Sequence, residues 1–193
     1  MNLLFMRAYR SFFRPRVGLW GMAIVCAVAL GGCSKESSQT LLSKAEENLK
    51  AGDKKAATIQ LKNAIQQDGR NAEARFQLAK LLIEQGDYAA AEKELRRARE
   101  AGLSNDKVNP LLARTLIKLG EFQRVLDEIP ASVAGSPAES TFLVARANAQ
   151  LGLKQAEEAR KSLERALIAA PNDADVQLAW ARMSIANSQV SEA

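Results

Sequence analysis

Histidine is absent from the 193 residues, and cysteine occurs only twice. Without imidazole, no Ser-His-Asp or Cys-His constellation can be assembled, and the commonest zinc sites lose a ligand. Acidic residues are missing from positions 1–32, which carry Arg7, Arg10, Arg14 and Arg16 together with five of the ten aromatics. Beyond that stretch 23 basic side chains face 22 acidic ones, so the formal charge of +5 belongs almost wholly to the amino-terminal segment. A body this close to neutrality has no excess of cations with which to neutralise phosphates, and nucleic acid is not an expected partner.

What is present divides the chain. After the arginines comes VGLWGMAIVCAVAL, an apolar run from Val17 to Leu30. A spanning helix needs about 20 apolar residues, so this run is short for a permanent anchor and fits the core of a secretory signal. Leu30, Gly31, Gly32 and Cys33 follow, and this LGGC resembles the lipobox of bacterial lipoproteins. The resemblance implies diacylglycerol on the Cys33 thiol and cleavage just before it, leaving Cys33 as the first mature residue. Cys26 is then discarded, and no internal disulfide can form. Each buried acyl methylene contributes ~0.8 kcal/mol, so two or three chains hold a protein on its membrane. Ser34 rather than Asp after the cysteine implies, by the same resemblance, the periplasmic face of the outer membrane, with the inner membrane as the other destination. The expected organisation is a signal peptide over 1–32, a lipidated cysteine and polar linker over 33–39, and a folded body over 40–193. The linker SKESSQ reaches ~20 Å at most, which keeps the body near the lipid surface.

Within the body, Gly52, Gly86 and Gly120 recur at a constant interval of 34. At matching offsets beyond them lie Ala57, Leu61 and Ala64, then Ala91, Leu95 and Ala98, then Val125, Ile129 and Ser132. Steps of four and three place each trio on one helical face. Each glycine, followed by Asp53, Asp87 or Glu121, reads as the turn between two helices. Ala159, Leu163 and Ala166 continue the pattern, but the next glycine, Gly152, follows Gly120 at an interval of 32 rather than 34, so two residues are expected to have crossed that turn. Pro130 is expected to shorten or bend the helix around 125–133, with Gly135, Ser136 and Pro137 in a loop.

The segment NAEARFQLAKLLIEQGDYAAAEKELRRAREA resembles the tetratricopeptide repeat, carrying Leu78, small Ala79, Tyr88, Ala91, Leu95 and Ala98. It departs from that pattern at Arg75, where the family often has tryptophan, and at Leu103, where it often has proline. The resemblance implies an all-α helical solenoid of about four helix pairs plus a terminal helix. The order of lipobox, KAEENLKAGDKKAATIQLKNAIQQDG and NPLLARTLIKLGEFQRVLDEIP is further similar to the tetratricopeptide lipoproteins of the PEP-CTERM, or exosortase, system, called PrsT-like. Those accompany exopolysaccharide biosynthesis and export and are usually much longer. The function implied is a membrane-tethered scaffold for protein partners. The alternative is a pilotin-like lipoprotein assisting secretin or type IV pilus assembly. No catalytic residue, cofactor or metal is expected, and Glu46, Glu47, Glu92 and Glu94 read as a solvated helix surface. The mixed charges from Lys93 to Glu100 read likewise.

A cation follows the small packing residue of successive first helices: Lys80, Arg114, Arg146 and Arg182. The first unit has Glu46 there. The resemblance places this position on the concave groove, where such a series would attract an acidic peptide or a C-terminal carboxylate. Val176, Leu178, Trp180, Met183 and Ile185 give the last helix an apolar face, read either as an unfinished solenoid end or as its cap.

Overall fold

The computed structural model describes residues 36–129 and 138–191, and side chains as far as 185. Cys33, Pro130, Ser132, Gly135, Ser136 and Pro137 lie outside the described residues, as does the expected signal segment over 1–32. The described residues form nine α-helices: α1 Ser38–Lys50, α2 Lys54–Gln67, α3 Ala72–Glu84, α4 Tyr88–Glu100, α5 Asn105–Lys118, α6 Phe122–Glu128, α7 Glu139–Gly152, α8 Ala156–Ala169 and α9 Ala174–Ser191. Four antiparallel pairs and a terminal helix therefore stack in chain order, each helix packing chiefly on its sequence neighbours, with α5 also on α7 and α7 on α9.

The periodic residues are the core. Ala57, Leu61, Ala64, Ala91, Leu95, Ala98, Ala159, Leu163 and Ala166 are fully buried, and Val125 and Ile129 nearly so. Each buried leucine contributes about 1.5–3 kcal/mol, and alanine between the leucines lets helix backbones approach closely. The helix after the third turn is only seven residues long, ending at Glu128 with Ile129 already extended ahead of Pro130. The expected shortening is thus observed.

The turns close the same way each time. The backbone N–H of Asp53 donates to Asn48 C=O (2.8 Å), that of Asp87 to Leu82 C=O (2.9 Å), and that of Glu121 to Leu116 C=O (2.9 Å). This six-residue closure requires one residue at positive φ, supplied by Gly52 (78°), Gly86 (80°) and Gly120 (76°). In the fourth pair the closing bond runs from Gln155 N–H to Gln150 C=O (2.9 Å), and the residue at positive φ is Lys154 (61°), one full interval of 34 after Gly120. The expected two-residue shift therefore does not occur. Gly152 is the last residue of α7, still helical, and its glycine has another cause: a Cβ there would lie 2.6 Å from three carbons of the Phe122 ring.

Ion pairs replace the solvated surface expected around Glu92 and Glu94. Arg96 and Arg124 each bridge Glu92 and Glu128, at 2.9 and 2.5 Å for Arg96 and 2.6 and 2.8 Å for Arg124, tying α4 to the short α6. Burial alone would raise the Glu92 and Glu128 pKa values, but hydrogen bonds from the two arginines together with their charge attraction outweigh it and lower both. Glu94 pairs with the buried Arg75 at 2.5 Å, while Arg75 Nε and Nη2 donate to Gly69 C=O at 2.9 and 2.7 Å. An arginine thus fills the place of the expected tryptophan by having all three nitrogens bonded. Glu46 and Glu47 do remain exposed.

Candidate functional site

Because the units repeat at one constant interval, equivalent positions of α5, α7 and α9 stand side by side along one wall. Between these three helices lies a cavity of about 730 Å³. Its floor is apolar, from Leu111, Ile117, Val144, Ala145, Leu178 and Ala179. Its rim is polar and differs from end to end. Arg114, Lys118, Asn148 and Arg182 line one end, and Ser140, Thr141, Asp173 and Asp175 the other.

Two of the four expected groove cations meet here. Arg114 and Arg182 both line the cavity and both are exposed. Lys80 shares their register one unit earlier but lies outside this cavity, its ammonium donating weakly to Gln77 Oε1 at 3.4 Å. Arg146 is a correction. With the fourth turn at Lys154, the buried alanine equivalent to Ala79 and Ala113 is Ala147, and the groove position after it is Asn148. Arg146 lies four residues after Phe142, which packs on the core shared with the third unit, and does not line the cavity. The register is Glu46, Lys80, Arg114, Asn148, Arg182, in unbroken steps of 34. Asn148 is therefore a cavity residue that reading Gly152 as the turn conceals, and Lys118, one helical turn after Arg114 on α5, lines the cavity as well. Cys33 lies outside the described residues.

Six arginines of the described fold, Arg75, Arg96, Arg97, Arg124, Arg160 and Arg165, are tied to carboxylates, whereas Arg70, Arg99 and Arg146 share with the groove cations the lack of an ion pair. Arg114, Lys118 and Arg182 make no ion pair among the described residues, and neither does Asp175. Asp173 is occupied: its Oδ1 accepts from the N–H groups of Asp175 (2.8 Å) and Val176 (3.3 Å), starting α9, and its Oδ2 accepts from Ser140 Oγ at 3.4 Å. The described residues hold no group of three or more His, Cys, Asp or Glu placed to bind a metal, and no helix among them is long and apolar enough to cross a membrane. What the groove offers is shape, unpaired charge and an apolar floor.

These features define a tetratricopeptide-type helical solenoid. The tetratricopeptide repeat family matches residues 48–114 and again residues 140–173, and the chain is a tetratricopeptide-repeat protein. Among solved structures it is similar to residues 41 to the end of MamA from Desulfovibrio magneticus RS-1, with TM-score 0.67 and 17% identity over 81% of this chain and 88% of that one. It is also similar to YrrB, described as a TPR protein with an unusual peptide-binding site (TM-score 0.66, 16% identity, 86% of this chain and 84% of that one). A third is a tetratricopeptide repeat protein from Parabacteroides merdae ATCC 43184 (TM-score 0.66, 18% identity, 82% and 63%). At such identities the likeness is one of fold. No curated protein matches the sequence.

Proposed function

We propose that the protein is a lipid-anchored scaffold that holds protein partners in the concave groove and serves exopolysaccharide biosynthesis and export linked to PEP-CTERM sorting. The observation that carries the scaffold reading is the groove itself: Arg114, Lys118 and Arg182, from two helices, converge on one cavity with an apolar floor and make no ion pair among the described residues. Exposed cations that do not serve the fold are free to meet an acidic group on a partner. The anchor rests on LGGC after a basic, apolar leader, and the folded body begins at Ser38, five residues beyond Cys33. The setting rests on the similarity to PrsT-like lipoproteins. The experiment is affinity capture from membranes of the native host, comparing the parent with the Arg114→Glu, Arg182→Glu variant at low and high salt. Polysaccharide-export or exosortase-associated proteins should be retained by the parent and lost by the variant. Secretin or pilus components in their place would move the assignment to a pilotin-like role, and unchanged capture by the variant would reject the groove as the binding surface.

A further inference from the structure

The two ends of the groove carry opposite free charge, and this deepens the scaffold reading on which it rests. On α9, Asp175 and Arg182 are seven residues apart and both line the cavity. Seven residues are two helical turns, so the two side chains stand on one face about 10 Å apart. The neighbouring α7 places Thr141 beside the acidic end and Asn148 beside the basic end, again seven residues apart. Ser140 Oγ bonded to Asp173 fixes the starts of α7 and α9 next to each other, which keeps these levels aligned. Arg114 and Lys118 from α5 add to the basic end only. On α5 the residue level with Asp175 is Lys107, which is drawn away to Glu73 at 3.7 Å and does not line the cavity.

We infer that the groove selects an extended peptide segment of mixed charge, with a carboxylate facing Arg114, Lys118 and Arg182, a cation facing Asp175, and an apolar side chain between them on Leu111, Val144 and Leu178. An extended chain rises ~3.3 Å per residue, so the acidic and basic residues of the ligand stand three to four positions apart. Asp175 has a second consequence. A uniformly acidic polymer gains at one end of the groove and is repelled at the other, so the site discriminates by orientation as well as by charge. Asp173, which starts α9, keeps its charge and adds to this polarity, while Asp175 is the carboxylate there whose side chain makes no bond among the described residues.

The test measures binding of fluorescent capped peptides of about ten residues, each long enough to span the two charged ends, to the full-length chain in detergent. One peptide carries Glu, Leu and Lys, with Lys three positions after Glu and Leu between them. A second replaces Lys by Gln, and a third replaces Glu by Gln. The mixed peptide should bind about three- to tenfold tighter than either single-charge peptide, with the advantage shrinking as salt rises. Asp175→Asn should shrink the advantage over the acidic peptide, since Asp173 still carries charge at that end, and Asp175→Lys should remove it. Circular dichroism of each variant checks that α9 persists. Equal binding of the mixed and acidic peptides would overturn the inference while leaving an acidic-ligand groove in place. Failure of all three to bind in a manner sensitive to Arg182→Gln would overturn the groove reading as well.

Discussion

The Phe122 ring occupies the space that a side chain on Gly152 would fill, with a Cβ at that position only 2.6 Å from three ring carbons. The first residue of α6 is thereby seated on the last residue of α7, and the seven-residue α6 is held against the next unit despite its few turns. Gly152→Ala is expected to destabilise the protein by about 1–3 kcal/mol through overpacking. Urea unfolding of the full chain checks this. The loss should be smaller when Phe122→Leu is present, because the two substitutions act on one contact.

Lys154 carries the positive φ that glycine carries in the three earlier turns. A non-glycine residue there costs roughly 1–2 kcal/mol relative to the ordinary helical region. Lys154→Gly should stabilise the fold by about 1 kcal/mol after the entropy of the added glycine, seen as a higher urea midpoint with the slope of the transition unchanged. Gly120→Lys should move stability in the opposite direction.

The Glu92, Arg96, Arg124 and Glu128 group gives stability a dependence on acid. Burial raises both carboxyls, but the hydrogen bonds and charge attraction of Arg96 and Arg124 together hold them below their usual value of 4.5. The unfolded chain therefore binds more protons than the folded one in this range, and the contribution is complete above about pH 4.5 and disappears as pH falls through the depressed values. These groups are partly exposed, so each pair is worth about 0.2–1 kcal/mol. The difference in urea midpoint between the parent and Glu92→Gln should shrink as the pH is lowered from about 6 to about 3. A difference independent of pH would show that the carboxylate is not the source.

Register separates Arg146 from Arg182 and Asn148. Arg182→Glu should weaken salt-dependent capture of acidic ligand, and Asn148→Glu should do the same at the middle rung. Arg146→Glu should leave capture unchanged, since Arg146 does not line the cavity. Fluorescence titration of the three variants with one acidic peptide makes the comparison direct.

For the proposed anchor, Cys33→Ser should abolish incorporation of labelled fatty acid and release the protein from membranes, or stall it uncleaved. Fractionation and the mass of the amino terminus report both. Full membrane retention with processing at the same bond would reject the lipobox.

The solenoid is legible because its signal is redundant: glycine, alanine and leucine positions each recur at the same interval of 34, and any one of them fixes the phase. The fourth turn is not legible in this way, because glycine has two uses. At Gly120 it relieves a left-handed backbone, and at Gly152 it makes room for Phe122; the sequence writes both with one letter. Taking Gly152 for a turn shifts the phase by two and puts Arg146 where Asn148 stands. The phase is recoverable from Ala166, two full periods after Ala98. Helical spacing within α4 does pair Glu92 with Arg96 and Glu94 with Arg97, but the partners that tie them to other helices, Arg124 and Arg75, are relations that this spacing does not encode.

The series of turns bears on how the chain acquires its structure. Asp53 and Asp87 each accept a hydrogen bond at the start of the following helix, from Ala56 and Ala90, whereas Glu121 and Gln155 do not. The first two hairpins thus carry both a glycine and an acceptor, the third a glycine alone, and the fourth neither. Because contacts run between neighbours in sequence, loop closure is cheap and any hairpin is able to nucleate. The amino-terminal hairpins are expected to order first, and each completed pair then offers an apolar surface on which the next, less self-sufficient pair condenses. Such a gradient matches the direction of synthesis: the part that emerges first is the part that needs least help from later units.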